Sequence, residues 1–247
     1  MDRSFSERLR TGEKLLGTTV ALPSPEVAEL LALCGFDWLF VDLEHGPGDI
    51  LTAQRMLQAA RCPCLVRPAE STDAAIQRIL DIGAAGVIAP GLRGAADVER
   101  VVAASRYPPA GARGVGQGRA HAYGINFRSY LTEANDEVVV VPQIEHIDAV
   151  KDIEAIAQVA GVSALLIEPD DLAASMGYLG NERHSEVGLA IERTRSVCAE
   201  AGRRLGICAS TPDLAAHWFG AGFTLVAVGR DIDMLRQRGQ DIVQLLK

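Results

Sequence analysis

Short apolar runs recur along the chain at fairly even spacing, with stretches of helical period between them. Eight can be counted: Leu15–Leu22, Trp38–Leu43, Cys64–Arg67, Gly86–Ala89, Val138–Ile144, Ala164–Ile167, Arg204–Cys208 and Leu225–Val228. Most lack apolar/polar alternation, which predicts strands buried on both faces in a parallel sheet. The intervening segments carry helix punctuation. In PSPEVAELLALCG, Ser24 is placed to cap, Pro25 takes the first helical position and Gly35 closes the helix. The same grammar puts Ser71 before TDAAIQRILDIG, Ile147-Asp148 before AVKDIEAIAQVAG and Ser210-Thr211-Pro212 before DLAAHWFGAG.

Eight strand–helix units predict an α/β fold, a single (β/α)₈ TIM barrel over 1–247, since such barrels take about 250 residues. One connection stands apart. The stretch from Ser105 to Asp136, with YPPAGARGVGQGRAHAYGINF inside it, follows the fourth strand and is rich in Gly, Pro and Arg. A connection of that length is expected to be a binding loop, a lid or a linker.

Composition narrows the class. Hydrophobic residues make up 48% and charged residues 23%, enough to bury a sizeable core. A formal charge of −8 with no basic stripe argues against nucleic acid and anionic membranes as partners. The opening MDRSFSERLRTGEK lacks an apolar targeting core, and no run reaches membrane-spanning length, so a cytoplasmic protein is expected. Cys34, Cys62, Cys64, Cys198 and Cys208 are odd in number and scattered, as thiols in a reducing compartment are.

Chemistry is expected at the C-terminal ends of the strands, where barrels of this kind carry it. Those ends read Asp42-Leu-Glu44-His45, Arg67-Pro, Gln143-Ile-Glu145-His146, Glu168-Pro-Asp170-Asp171, Cys208-Ala-Ser210 and Gly229-Arg230-Asp231. Carboxylates converging from different strands suit a hard divalent cation, with Glu145 and Asp171 as its ligands. Helix capping and surface solvation are the competing roles for any one of them. His45 is placed as a general base with Asp42 as its orienting partner. Arg67 ends an inner strand and needs an anion, either a substrate carboxylate or enolate, or a structural partner such as Glu44 or Asp81. Of the three lysines, Lys14, Lys151 and Lys247, none ends a strand. A Schiff base needs a buried amine there, so carbanion chemistry is left to a metal.

Several segments in order resemble one family: GFDWLFVDLEH (35–45), LVRP (65–68), ILDIGAAGVIAP (79–90), RYPPAGARGVG (106–116), VVPQIE (140–145), PDDLAASMGYLGN (169–181) and FTLVAVGRD (223–231). The chain is similar nearly end to end to the HpcH/HpaI aldolases, pyruvate-dependent class II enzymes on phosphoenolpyruvate/pyruvate-type barrels. The resemblance implies Mg²⁺, Mn²⁺ or Co²⁺ on Glu145 and Asp171, chelated by a 2-oxo acid, and Arg67 stabilising enolate charge. It implies His45, paired with Asp42, as the base acting through water on the metal. Gln143 matches a substrate-pocket residue, Asp81 one that enters a neighbouring subunit's site, and amides around Asp170 and Asp171 are placed to hold the substrate carboxylate. Hexamers built as trimers of dimers are implied, with the last helix, about 231–246, exchanged between subunits.

Two departures matter. Glu168-Pro169 stands where the family has Gly-Pro, and Leu43 where it has Gly. The implied reaction joins pyruvate, or a close 2-oxo acid, to an aldehyde, or cleaves the resulting 4-hydroxy-2-oxo acid. Arg119, His121 and Tyr123 are candidates for lining the acceptor pocket, with plain loop solvation as the alternative. Other readings are a citramalyl- or malyl-CoA-type lyase, a non-catalytic barrel binding a metal or 2-oxo acid, and a phosphosugar-binding barrel using Gly229 and Arg230.

Overall fold

The computed structural model describes residues 3–247. Eight strands close a parallel barrel in sequence order: β1 (Leu15–Val20), β2 (Trp38–Asp42), β3 (Cys64–Arg67), β4 (Gly86–Ala89), β5 (Val139–Ile144), β6 (Leu165–Ile167), β7 (Leu205–Ala209) and β8 (Leu225–Arg230), with β8 pairing back to β1. The helices are α1 (Phe5–Thr11), α2 (Pro25–Leu33), α3 (Ile50–Ala59), α4 (Asp73–Asp81), α5 (Ala95–Ser105), α6 (Phe127–Glu137), α7 (Ile147–Lys151), α8 (Ile153–Gln158), α9 (Pro169–Ser175), α10 (Ser185–Glu200), α11 (Pro212–Gly220) and α12 (Asp231–Leu246). Every apolar run became a strand. Helix capping follows the expected grammar at α2 and α11, where Ser24 and Thr211 accept from Val27 and Leu214 amides. At α4 the cap is Thr72, because Ser71 gives its hydroxyl to Pro90. Among the described residues no helix is long and apolar enough to cross a membrane.

Large side chains fill the barrel interior. Trp38 and Phe40 of β2 pack with Leu65, Ile88, Val141, Leu166 and Leu225. Gly17 makes room for the Trp38 indole, since a Cβ there would lie 2.3 Å from the ring. Phe5 and Leu9 join the same cluster, so α1 closes the barrel at the end where the strands begin. Nothing in the apolar pattern of the first residues signalled that plug.

The long connection also belongs to that lower end. It leaves α5 rather than β4, and it is partly helical, with a 3-10 turn over Arg119–Gly124 and then α6. Arg106 donates to the carbonyls of Val138 and Gly161, which precede β5 and β6. Arg113 is 1% exposed; it stacks on Tyr107 and binds Asp81 at 2.7 Å. Arg119 donates to Ile82, and the buried His121 faces the Tyr107 hydroxyl. Arg119 and His121 therefore do not line the mouth of their own barrel, contrary to the pocket role offered from sequence, and Tyr123 is exposed to solvent, in keeping with the alternative. Asp81 ends α4 on the same lower side, committed to Arg113.

Candidate active site

The opposite end gathers the remaining expected residues. Asp42 and Arg67 end adjacent strands and are register partners. That neighbourhood lets the guanidinium grip one carboxylate with both arms: Nε to Oδ1 at 2.9 Å and Nη2 to Oδ2 at 2.7 Å. The pair is 2% and 4% exposed. Burial pushes the Asp42 carboxyl up, but the hydrogen bonds and charge of Arg67 outweigh it and hold the group below the ordinary range. Arg67 also lies over the Phe40 ring and reaches toward Gln143 Oε1 at 3.5 Å.

Asp42 does not orient the His45 imidazole. Its Oδ1 accepts from the backbone amides of Glu44 and His45, and the rest of its capacity goes to Arg67. The His45 ring projects into solvent, and its nearest carboxylate is Glu44, with Nε2 at 3.9 Å from Oε2. The register of β2 and β3 decided this, because a guanidinium one strand away offers two short charged bonds.

Glu145 follows β5 and is fixed on both oxygens. The Gly91 amide donates to Oε1 at 2.5 Å, and the Gln143 side-chain amide donates to Oε2. Gly91 was not singled out from sequence. It has φ +74°, a left-handed geometry that glycine adopts freely, and Pro90-Gly91 after β4 was the available signal. Burial raises the Glu145 carboxyl above its ordinary value, and the Asp171 charge adds to that. Glu44 is raised likewise, first by burial and then by Glu145. Its Oε2 lies 3.1 Å from Arg67 Nε, yet has no hydrogen bond of its own.

Glu44, His45, Glu145 and Asp171 line one cavity of about 240 Å³. Glu145, whose ionisation burial and the Asp171 charge oppose, and Glu44, raised by burial and by Glu145 and carrying an orphaned oxygen, make a setting that a cation would relieve. Among the described residues no group of three or more His, Cys, Asp or Glu encloses a metal position. Glu145 and Asp171, both on that cavity, are oxygen donors of the kind a hard divalent ion takes.

Glu168 takes neither side of that cavity. It follows β6, is 3% exposed, and lines a second cavity with Asp170 and Arg230. Burial pushes its carboxyl up to about 7, against the lowering effects of Cys208, Arg230 and Arg67. A carboxyl whose pKa is higher in the folded than in the unfolded chain costs stability as pH rises between the two values. From the ordinary 4.5 to about 7, that cost grows to on the order of 3 kcal/mol. Glu168→Gln is expected to flatten the slope and to be the more stable protein in weak alkali. Urea unfolding across the range checks it, and equal slopes in both proteins would contradict it.

Comparison with known proteins places this arrangement. A hydroxypyruvate/pyruvate aldolase from Pseudomonas aeruginosa is 39% identical, covering 98% of this chain and 92% of its own. A 4-hydroxy-2-oxo-heptane-1,7-dioate aldolase from Shigella flexneri is 40% identical over 97% and 91%. The crystal structure of a family protein from Burkholderia cenocepacia superposes with a TM-score of 0.93 at 34% identity, over 98% of both chains. With the family model for HpcH/HpaI aldolase/citrate lyase matching residues 16–237, this chain belongs to the HpcH/HpaI aldolase family.

Proposed function

We propose that the protein is a metal-dependent aldolase, forming or cleaving 4-hydroxy-2-oxo acids from pyruvate, or a close 2-oxo acid, and an aldehyde. The observation that carries this reading is the buried Arg67, clamped by Asp42 beside the mouth that holds Glu145 and Asp171. Glu145 and Asp171 would hold a divalent cation, which would supply Lewis acidity at the keto group of the 2-oxo acid.

The side chains divide the remaining work. Arg67 presents fixed positive charge to the oxygen that becomes negative as C3 loses its proton, in a site where water does not screen it. Asp42 keeps the guanidinium in place. His45, exposed at the rim, takes the C3 proton, and Glu44 is the carboxylate beside it. The C3 carbon then bonds to the aldehyde carbon, and the former carbonyl oxygen takes up a proton. Gln143 orients Glu145 and faces Arg67. The substrate carboxylate is held by the amides of Asp170 and Asp171, in the first turn of α9, which no side chain caps.

The assembly reading rests on α12. Ile232, Leu235, Ile242, Val243 and Leu246 are exposed along it, an apolar stripe that exchange with another subunit would bury. Asp81 is then a substrate residue for a neighbour's site in a hexamer. The five free cysteines are consistent with a cytoplasmic enzyme.

Pyruvate in D₂O with Mg²⁺, Mn²⁺ or Co²⁺ tests the core. Methyl-proton exchange followed by NMR is expected, is lost on chelation, and falls at least about 100-fold in His45→Ala. Borohydride with pyruvate is expected to leave the protein mass unchanged. No exchange with any of the three metals, or a trapped adduct on Lys14 or Lys151, would overturn the reading.

A further inference from the structure

We propose that Glu168 and Arg230 select the aldehyde: together they hold a neutral hydroxyaldehyde and turn away one that carries a second carboxylate. The inference rests on the aldolase reading above and adds the class of its second substrate.

It begins with a residue out of keeping with its position. Glu168 occupies the N-cap of α9, where Ser, Thr, Asp or Asn is favoured, and its carboxyl caps nothing. The side chain turns inward instead and lines a cavity together with Cys208. A buried carboxyl with so little structural return lowers stability. A ligand group that bonds to it accounts for its presence.

The cavity it lines has a volume of about 350 Å³ and lies between the ends of β6, β7 and β8 and the helices that follow. Trp218, Leu214 and Ile191 give it an apolar wall, and Thr19 and Arg230 contribute donors. Arg67, Arg230 and Asp171 all act electrostatically on Glu168. The cavity reaches the start of α9 through Glu168, Pro169 and Asp170, one residue from Asp171 in the mouth cavity, so the two cavities adjoin where the acceptor carbonyl must arrive.

The pairing of groups sets the chemistry. A carboxylate accepts hydrogen bonds and a guanidinium donates them, while a hydroxyl does both, so the two side chains suit a hydroxyl next to an aldehyde. The 2-oxo acid's carboxylate has the amides at the start of α9 to hold it, whereas an acceptor's own carboxylate meets the unfavourable field of the lining. Glu168, Asp170, Glu182 and Asp233 stand against Arg183 and Arg230 in the lining, and like charges brought together out of water repel strongly.

The test compares kcat/KM for pyruvate with glycolaldehyde, propionaldehyde and succinic semialdehyde. The wild-type enzyme is expected to favour glycolaldehyde over each of the others by about tenfold or more. Glu168→Gln keeps an acceptor atom but loses the charge, so the preference over propionaldehyde survives and succinic semialdehyde gains about tenfold. Glu168→Gly is expected to erase both preferences. A wild-type preference for succinic semialdehyde, or ratios unchanged within about twofold in both variants, would overturn the proposal. Pyruvate proton exchange without any aldehyde separates the two levels. If exchange occurs and the acceptor order is wrong, only the selection fails; if wild type shows none, the aldolase reading fails with it.

Discussion

Arg67→Ala is expected to lower pyruvate proton exchange by about 10³-fold or more, since removing one preorganised donor to a developing oxyanion already costs 10²–10³. Here a full charge goes as well. Arg67 is 2% exposed, bonded through two nitrogens to Asp42 and close to Glu44. The same substitution strands Asp42 and Glu44, so the fold is expected to lose about 3–5 kcal/mol. Arg67→Lys is no rescue, because an ammonium cannot make the forked contact. The double variant Arg67→Ala/Asp42→Asn separates the two effects: it restores much of the stability and none of the exchange. Exchange rates measured on folded protein, with urea unfolding alongside, check both parts. Exchange in Arg67→Ala within tenfold of wild type would remove Arg67 from the chemistry.

Glu145→Gln and Asp171→Asn are expected to weaken Mn²⁺ binding by at least about 100-fold, more than the loss of an outer-shell partner does, and to abolish exchange. Their effect on the metal-free protein runs the other way. Glu145 is raised by burial and then by Asp171, so its ionised form costs the fold stability above the ordinary carboxylate range. Removing that charge should raise the melting temperature without metal. Saturating metal should stabilise wild type by about 2.7 kcal/mol at a hundredfold excess over Kd, and should leave Glu145→Gln unchanged. Calorimetric titration and thermal melts measure this. Unaltered Mn²⁺ affinity in Glu145→Gln would place the ion elsewhere. Stability surrendered to hold repelling carboxylates in one mouth is a common cost of a functional site.

The barrel itself was legible because its signals are local. Unbroken apolar runs mark strands buried on both faces, and β3 and β4 fall on the expected residues, Cys64–Arg67 and Gly86–Ala89. Serine, threonine, proline and glycine at the junctions mark where helices start and stop. Strand direction then follows from the rhythm, and with it the end of the barrel that carries Asp42, Arg67, Glu145 and Asp171. What local pattern does not contain is the identity of partners across strands. Asp42 bonds Arg67 rather than His45 because the shear of the barrel sets residues 25 positions apart side by side. Gly91 reaches Glu145 across 54 positions, and the long Gly- and Pro-rich segment packs below the barrel because it leaves a helix end rather than a strand end.

Which residue types stand at which strand ends was determined by the sequence alone, since periodicity and capping act within a few residues. Which of them share a proton, a charge or a cavity was decided only by closure of the sheet. Glu168 illustrates the difference: a carboxylate at a helix start looks solvated in the chain, and the converging ends of β6, β7 and β8 bury it beside Cys208 and Arg230.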